Sequence, residues 1–368
     1  MTKTYPPKVV QARPRREGDD DDDDIVSIRF HGRMFDISIR KSYFTNSPNT
    51  TTLYEKYREA IDYDSDDEDI FEWIIGIFQP LFRQLAPTPL PAFDPDKIRN
   101  NEVKPTLSDY LFPQQFGFRL EAVDDELIPR HVNDEGYMMP PRAHLDGDFL
   151  DELESWTEFF EPSAVRVAFT EPEEALKEMP KRVLVTLKSG VETVCYFQYS
   201  GVEPPGGPTE KGLMAYKKIY DAGGLPNVNV GRLLGVVHTT DTNRTLGLLL
   251  EHIDRRTTMW NALFTNVSLE TREKWASQVT DAVTALHRAG AVWGNASIFS
   301  IVIDKDENAW VADFRGGYPV GWIDKDKAGT VEGDMQGLER TLREILETQG
   351  DVAYDSDIDQ ERPNKAHL

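Results

Sequence analysis

An α+β protein with two unequal lobes is what the order of elements in this sequence predicts. Apolar residues alternating with polar ones make strands of SAVRVAF (163–169), RVLVTL (182–187) and ETVCYFQY (192–199). One helix, TEKGLMAYKKIYDAG, comes next and is closed by Gly223 and Gly224. Two more strands, RLLGVVHT and LGLLLEHI, precede a region that is mostly helical. Strands gathered first and helices afterwards give a small β-rich lobe and a helical one.

Charge narrows the partners. The chain has 368 residues, 64 acidic against 41 basic, and a formal net charge of −23. That balance repels phosphate backbones and anionic lipid surfaces, so neither nucleic acid nor membrane is an expected partner. The single cysteine, Cys195, forms no intrachain disulfide and sits in an apolar run as a small buried hydrophobe. No apolar signal-peptide core and no run of ~18 apolar residues is present. An intracellular location, cytoplasmic or nuclear, is the expectation.

The first 24 residues end in six aspartates, Asp19 to Asp24, and predict a disordered acidic tail. IVSIRF and MFDISI, joined around His31-Gly32-Arg33, predict a β-hairpin. Residues 46–52 read as a loop and residues 62–69, DYDSDDED, as a second acidic run. IFEWIIGIFQPLFRQLAP has helical apolar spacing, with Pro80 expected to break or kink it. Residues 87–160 suggest irregular connections and short strands. Together 25–160 form an N-terminal extension, expected to pack on the two lobes because its apolar helix needs a surface. The small lobe then spans 161–254 and the large lobe 255–350. Residues 268–289 make the clearest helix, with Ser268 as N-cap and Trp275, Val279, Ala282, Val283 and Leu286 on one face. Asp334 is expected to cap another and to brace the loop that comes after the first. The last stretch, 351–368, is a second disordered acidic tail.

Residues 286–324, LHRAGAVWGNASIFSIVIDKDENAWVADFRGGYPVGWID, carry the chemistry. A helix ends in Leu286-His287; a loop, a strand, a turn and a second strand come after it. Then come Asp313-Phe314, Gly316-Gly317-Tyr318, Gly321-Trp322-Ile323-Asp324 and GTVEGDMQGLE. This layout resembles the protein-kinase-like superfamily, and more closely a divergent group of fungal kinase-like proteins. The correspondence runs from about residue 160 to 350, and Asp304 and Trp310 fit it too. The segment FEWIIGIFQPLFRQLAP looks like the leader of that group. The resemblance implies a bilobal kinase-like fold with a truncated helical lobe, and ATP and Mg²⁺ as cofactors.

Taken position by position, it also implies a damaged active site. The strand lysine that holds phosphates corresponds to Gln198. The helix glutamate that pairs with it corresponds to Gly212, with Glu210 a slipped alternative. The catalytic-loop histidine is Trp293 and the catalytic base is Asn295; a neutral amide orients but does not accept a proton. The loop lysine position is Ser297, and the second metal ligand is Ser300. Asp313, the principal metal aspartate, survives, while Arg315 replaces the glycine after Phe314. No GxGxxG occurs among the early strands. Glu251 and Ile253 come after the strand whose backbone would hold adenine.

These residues leave three readings open. A pseudokinase would keep the frame and act by binding or regulation, through an unidentified protein partner, since each lost group is worth orders of magnitude in rate. An active atypical kinase, for a protein or a small molecule, would use Asp313 for Mg²⁺ and tolerate Asn295, because phosphoryl transfer has a loose transition state. A scaffold would bind no nucleotide at all.

Overall fold

The computed structural model describes residues 6–13, 23–62, 71–132, 142–143, 145–176, 179–240 and 244–347. The fold is mixed α+β with several sheets. In chain order the elements begin with β1 (Lys8–Arg13), β2 (Asp24–Phe30), β3 (Arg33–Thr45), α1 (Pro48–Asp62), α2 (Glu72–Leu85), α3 (Pro95–Arg99) and α4 (Leu107–Leu111). Next come β4 (Gln115–Val123), β5 (Glu126–His131), β6 (Arg142–Ala143), α5 (Gly147–Trp156), β7 (Phe159–Phe160), β8 (Arg166–Val167), β9 (Arg182–Thr186), β10 (Glu192–Tyr199) and β11 (Val202–Glu203). The rest are α6 (Pro208–Asp221), β12 (Leu233–Thr239), β13 (Arg244–Glu251), β14 (Arg255–Thr258), α7 (Met259–Leu263), α8 (Leu269–Arg288), β15 (Ile301–Asp304), β16 (Ala309–Val311) and α9 (Val331–Glu347). Among the described residues, no helix is long and apolar enough to cross a membrane.

Contacts divide the chain into two compact units, 1–140 with 162–184, and 141–161 with 185–368. These boundaries differ from those read along the sequence. Residues 141–161 belong with the second unit because β6 and β7 pair with its strands, at Ala143 to Thr245 and at Phe159 to Val236. Residues 162–184 stay with the first unit, where Arg166 bridges to Thr106.

The first unit is built on the five-stranded sheet β1-β2-β3-β4-β5. His31 and Gly32, at φ 52° and 83°, make the tight β2–β3 turn that the alternation predicts. The β3–β4 pair is parallel, because α1 to α4 lie between those strands in sequence. Ile74, Phe78 and Phe82 of α2 join Val26, Ile28, Phe35, Ile37, Phe118 and Leu120 in one core.

Four local expectations change in this unit. Lys8–Arg13, inside the stretch expected to be disordered, pairs with β2. Of the aspartate run, Asp23 and Asp24 are structured: Asp24 is fully buried and accepts from Tyr54 and Arg58, and Asp23 accepts from Arg40 (2.5 Å) and Tyr43 (2.9 Å). Cationic and phenolic partners distant in sequence turn part of a repelling block into structure. Asp19 to Asp22, the run 63–69 and the segment 351–368 lie outside the described residues. Second, α1 occupies part of the expected 46–52 loop; Pro48 suits a first helical position, while the three threonines after Asn49 have weak helix propensity. Third, α2 is not broken at Pro80 but continues through it. Fourth, in a region expected to hold irregular connections and short strands, β4 and β5 are longer and form a hairpin; Asp124 and Asp125, at φ 49° and 64°, make its two-residue turn.

In the second unit, β13 is central, with β10 and β12 on its two edges and β7 parallel to β12. Cys195, on β10 opposite Glu251, is buried, and burial pushes its thiol up to about 11. A second sheet, β14-β15-β16, lies against α8 and α7. Helix α8 begins where Ser268 Oγ accepts the Thr271 N–H (3.2 Å). Its Trp275, Val279, Ala282, Val283 and Leu286 are the buried face predicted, and the Trp275 indole donates to Glu307 O (3.0 Å). Asp304 and Trp310, singled out separately in the sequence, are partners: the Trp310 indole donates to the Asp304 carboxylate (2.8 Å).

The Asp24 cluster gives a stability test. Asp24→Ala removes the carboxylate that both the Arg58 guanidinium and the Tyr54 hydroxyl meet, so unfolding free energy should fall by about 3 kcal/mol. A lowered urea midpoint at unchanged m-value would report it; an unchanged midpoint would show that the cluster does not hold the sheet.

Candidate functional site

The loop between α8 and β15 hangs on one carboxylate. Asp334 is fully buried in the first turn of α9. One oxygen accepts the Trp293 N–H (2.7 Å) and the His287 ring (2.9 Å), and the other accepts the Gly294 N–H (2.7 Å). Thr330, not Asp334, caps α9: its Oγ1 accepts the Gly333 N–H (3.0 Å). Of the two roles expected of Asp334, capping is corrected, and bracing of the loop is what its hydrogen bonds show. Gly294, at φ 75°, sits so close to Gly316 that a side chain there would crowd that backbone (3.1 Å). Trp293 is buried in the core and donates from its indole to Ala312 O (2.8 Å).

From this braced loop, Asn295 reaches the start of the segment after β16. Its amide contacts one Asp313 oxygen at 3.4 Å, and the Gln198 amide on β10 contacts the other at 3.4 Å. Three residues far apart in sequence thus converge on one point. Asp313 holds φ 58°, a left-handed conformation that turns the chain as β16 ends. The adjoining Phe314 is buried and meets Tyr216 of α6 edge-on, ring centroids 5.2 Å apart. Burial raises the Tyr216 pKa, so this ring packs as a neutral phenol.

The strongest bonds at this point come from Arg315. Its Nε donates to one Asp313 oxygen (2.8 Å) and its Nη2 to the other (3.1 Å), a two-pronged fork. Both side chains are only 14% exposed. Burial alone would lower the Arg315 pKa; the hydrogen bonds and charge of Asp313 outweigh it, and the net shift is upward. Space for the guanidinium stem comes from Gly212 of α6: a Cβ there would lie 3.5 Å from Arg315 Cγ, so a longer side chain would compete for that space. Glu210 is engaged elsewhere, accepting the Gly206 N–H (2.8 Å).

Other sequence candidates do not join this group. Ser297 and Ser300 are 1% and 2% exposed, and neither hydroxyl has a hydrogen-bond partner among the described residues. Both are closed off from solvent. Glu251 pairs with Arg232 (Nε to Oε2, 2.8 Å). Glu251 and Ile253 line a separate pocket of about 260 Å³ with Asp254, Asp304 and Lys305, and none of Gln198, Asn295 or Asp313 lines it. The sequence marked Arg315 only as a departure from a glycine. A cation two residues from a carboxylate, in a chain lacking the neighbouring lysine, is the signal that could have found its role.

Mg²⁺ does not fit this donor set. It requires oxygens in a near-octahedral shell at about 2.0–2.1 Å. Here a guanidinium saturates Asp313 from within hydrogen-bond distance, and the two remaining neighbours are neutral amides. Among the described residues, no three His, Cys, Asp or Glu side chains form a metal-holding group. No known protein-family model matches this chain, and no curated protein matches it significantly.

Bracing by Asp334 is testable apart from any function. In Asp334→Asn, an N–H₂ group faces donors already present, so stability should fall by about 3 kcal/mol in urea denaturation. Asp324→Asn, at a half-exposed carboxylate, should change it by no more than about 0.5 kcal/mol. Equal effects of the two would contradict the role given to Asp334.

Proposed function

We propose that this chain is a protein-kinase-like protein that no longer transfers phosphate and acts by binding, a pseudokinase. The Arg315–Asp313 fork carries the reading. In a kinase-like frame, Asp313 would hold the metal that neutralises the transferring phosphate, and Gln198 would be the phosphate lysine. Among the described residues, the charge partnering Asp313 is instead Arg315. The aspartate's negative charge is spent internally, and the cation that phosphates would need is tied to it.

Two further observations support the frame. Gln198, Asn295 and Asp313 meet at one point, as a common cleft requires. Gly212, in the place of the helix glutamate, faces Arg315 rather than a strand lysine. Loss of the lysine and the glutamate together avoids leaving one buried charge alone. The base position, Asn295, offers an amide that orients without accepting a proton. With Ser297 and Ser300 buried, their hydroxyls are poorly placed for substrate or metal.

Thermal melting with ATP, ADP and Mg²⁺ tests this. Wild-type protein should show no Mg²⁺-dependent rise in Tm. Arg315→Ala should gain one, and the gain should vanish in Arg315→Ala with Asp313→Asn. ATP turnover by the wild-type chain that disappears in Asp313→Ala would overturn the proposal; a Mg²⁺-dependent shift in the wild type that Asp313→Ala abolishes would overturn the role given to the Arg315–Asp313 fork.

A further inference from the structure

The first unit carries a groove whose charge runs against that of the whole chain. It has a volume of about 400 Å³, within the range of roughly 300–1,000 Å³ typical of ligand sites. Three cations line it: Lys104, Arg166 and Arg182; no carboxylate among the described residues does. Lys104 and Arg182 are exposed and have no ion-pair partner among the described residues. Glu102 and Glu171 adjoin lining residues in sequence but are exposed and do not line the groove; Glu102 accepts from the Asn100 amide (3.2 Å), Glu173 pairs with Arg99 (2.6 Å), and Glu174 accepts the Thr170 N–H (3.2 Å). In a chain of net charge −23, such a site stands out locally, because screening limits each charge to about 8 Å at physiological salt.

Between the cations the floor is apolar. Val103, Val167 and Phe169 line the groove and pack on Phe93 and Tyr110. Behind them lies a fourth cation. Arg29 is 4% exposed, 5.2 Å from the Tyr110 ring and 5.7 Å from Phe93. Its Nε and Nη1 have no hydrogen-bond partner among the described residues, and burial lowers its pKa. The aromatic wall is therefore backed by a buried guanidinium.

We propose that this groove binds an extended acidic peptide segment of another protein, seating one apolar or aromatic side chain on Phe169 while its carboxylates meet Lys104 and Arg182. The floor distinguishes this from a purely ionic site, which would need no apolar surface. Nucleic acid is a poor fit, since three cations cannot offset the repulsion of so acidic a chain over many phosphates. An anionic membrane surface meets the same repulsion over a wider area. The groove lies outside the residues on which the pseudokinase reading rests, and the two stand or fall separately.

Fluorescence anisotropy of the full chain tests it, with a labelled peptide of Asp and Glu around one central Phe as probe. Saturable binding should weaken with rising salt. It should weaken about tenfold in Lys104→Glu with Arg182→Glu. The neutral pair Lys104→Gln with Arg182→Gln should give an intermediate loss, and a probe with Ser for Phe should bind less tightly. Both positions are exposed, and a circular dichroism melt verifies that each variant is folded. Absence of saturable binding, equal binding by the charge-reversed chain, or binding to phosphatidylserine vesicles without binding to the peptide would overturn the proposal.

Discussion

A guanidinium and a carboxylate two residues apart ordinarily make a weak, solvated pair. Arg315 and Asp313 make theirs where both side chains are 14% exposed, and that setting gives it weight. A carboxylate held there without a counter-charge would be costly. The fork satisfies both oxygens at once and fixes the backbone turn at Asp313, which lies at φ 58°. Gly212 leaves room for the guanidinium stem, and the amides of Gln198 and Asn295 fill the remaining approaches. The second unit arranges β10, α6 and the loop after α8 around this pair.

Asp334 does the complementary work on the other side of that loop. Three donors, two of them backbone N–H groups, converge on a fully buried carboxylate. This anchors Trp293 and Gly294 and thereby sets where Asn295 begins its reach. One buried acid thus holds the loop, and a second, neutralised acid closes the site. Under the proposed reading, the frame is retained for its shape. On that same reading, the charge that would serve phosphate transfer holds the molecule together instead.

The first unit obeys a different logic. Its core is aromatic and aliphatic, but its sheet also buries polar pairs, such as Ser27 Oγ on Asp36 (2.6 Å) and Asp24 on Tyr54 and Arg58. Such pairs tolerate burial because each acceptor meets its donor. Arg29 departs from that rule, leaning on aromatic faces instead of a carboxylate.

Much of the backbone was legible from local pattern. Helix α8, the His31-Gly32 turn, the strands β10, β12 and β13 and the α+β class depend on periodicity and turn residues, which act over a few positions. Gln198, Asn295 and Asp313 were picked out only through a resemblance, and their side chains meet. What escaped were features decided between distant segments. Asp24 reads as one more member of a repelling run until Tyr54 and Arg58 reach it. Asp124-Asp125 reads as part of an irregular connection until β4 and β5 pair. Arg315 reads as a lost glycine until Asp313 turns back and Gly212 makes room. Local sequence determined the elements and the identity of the groups near the site. Only the tertiary structure decided which charge neutralises which, because that depends on burial and on neighbours brought together by the fold.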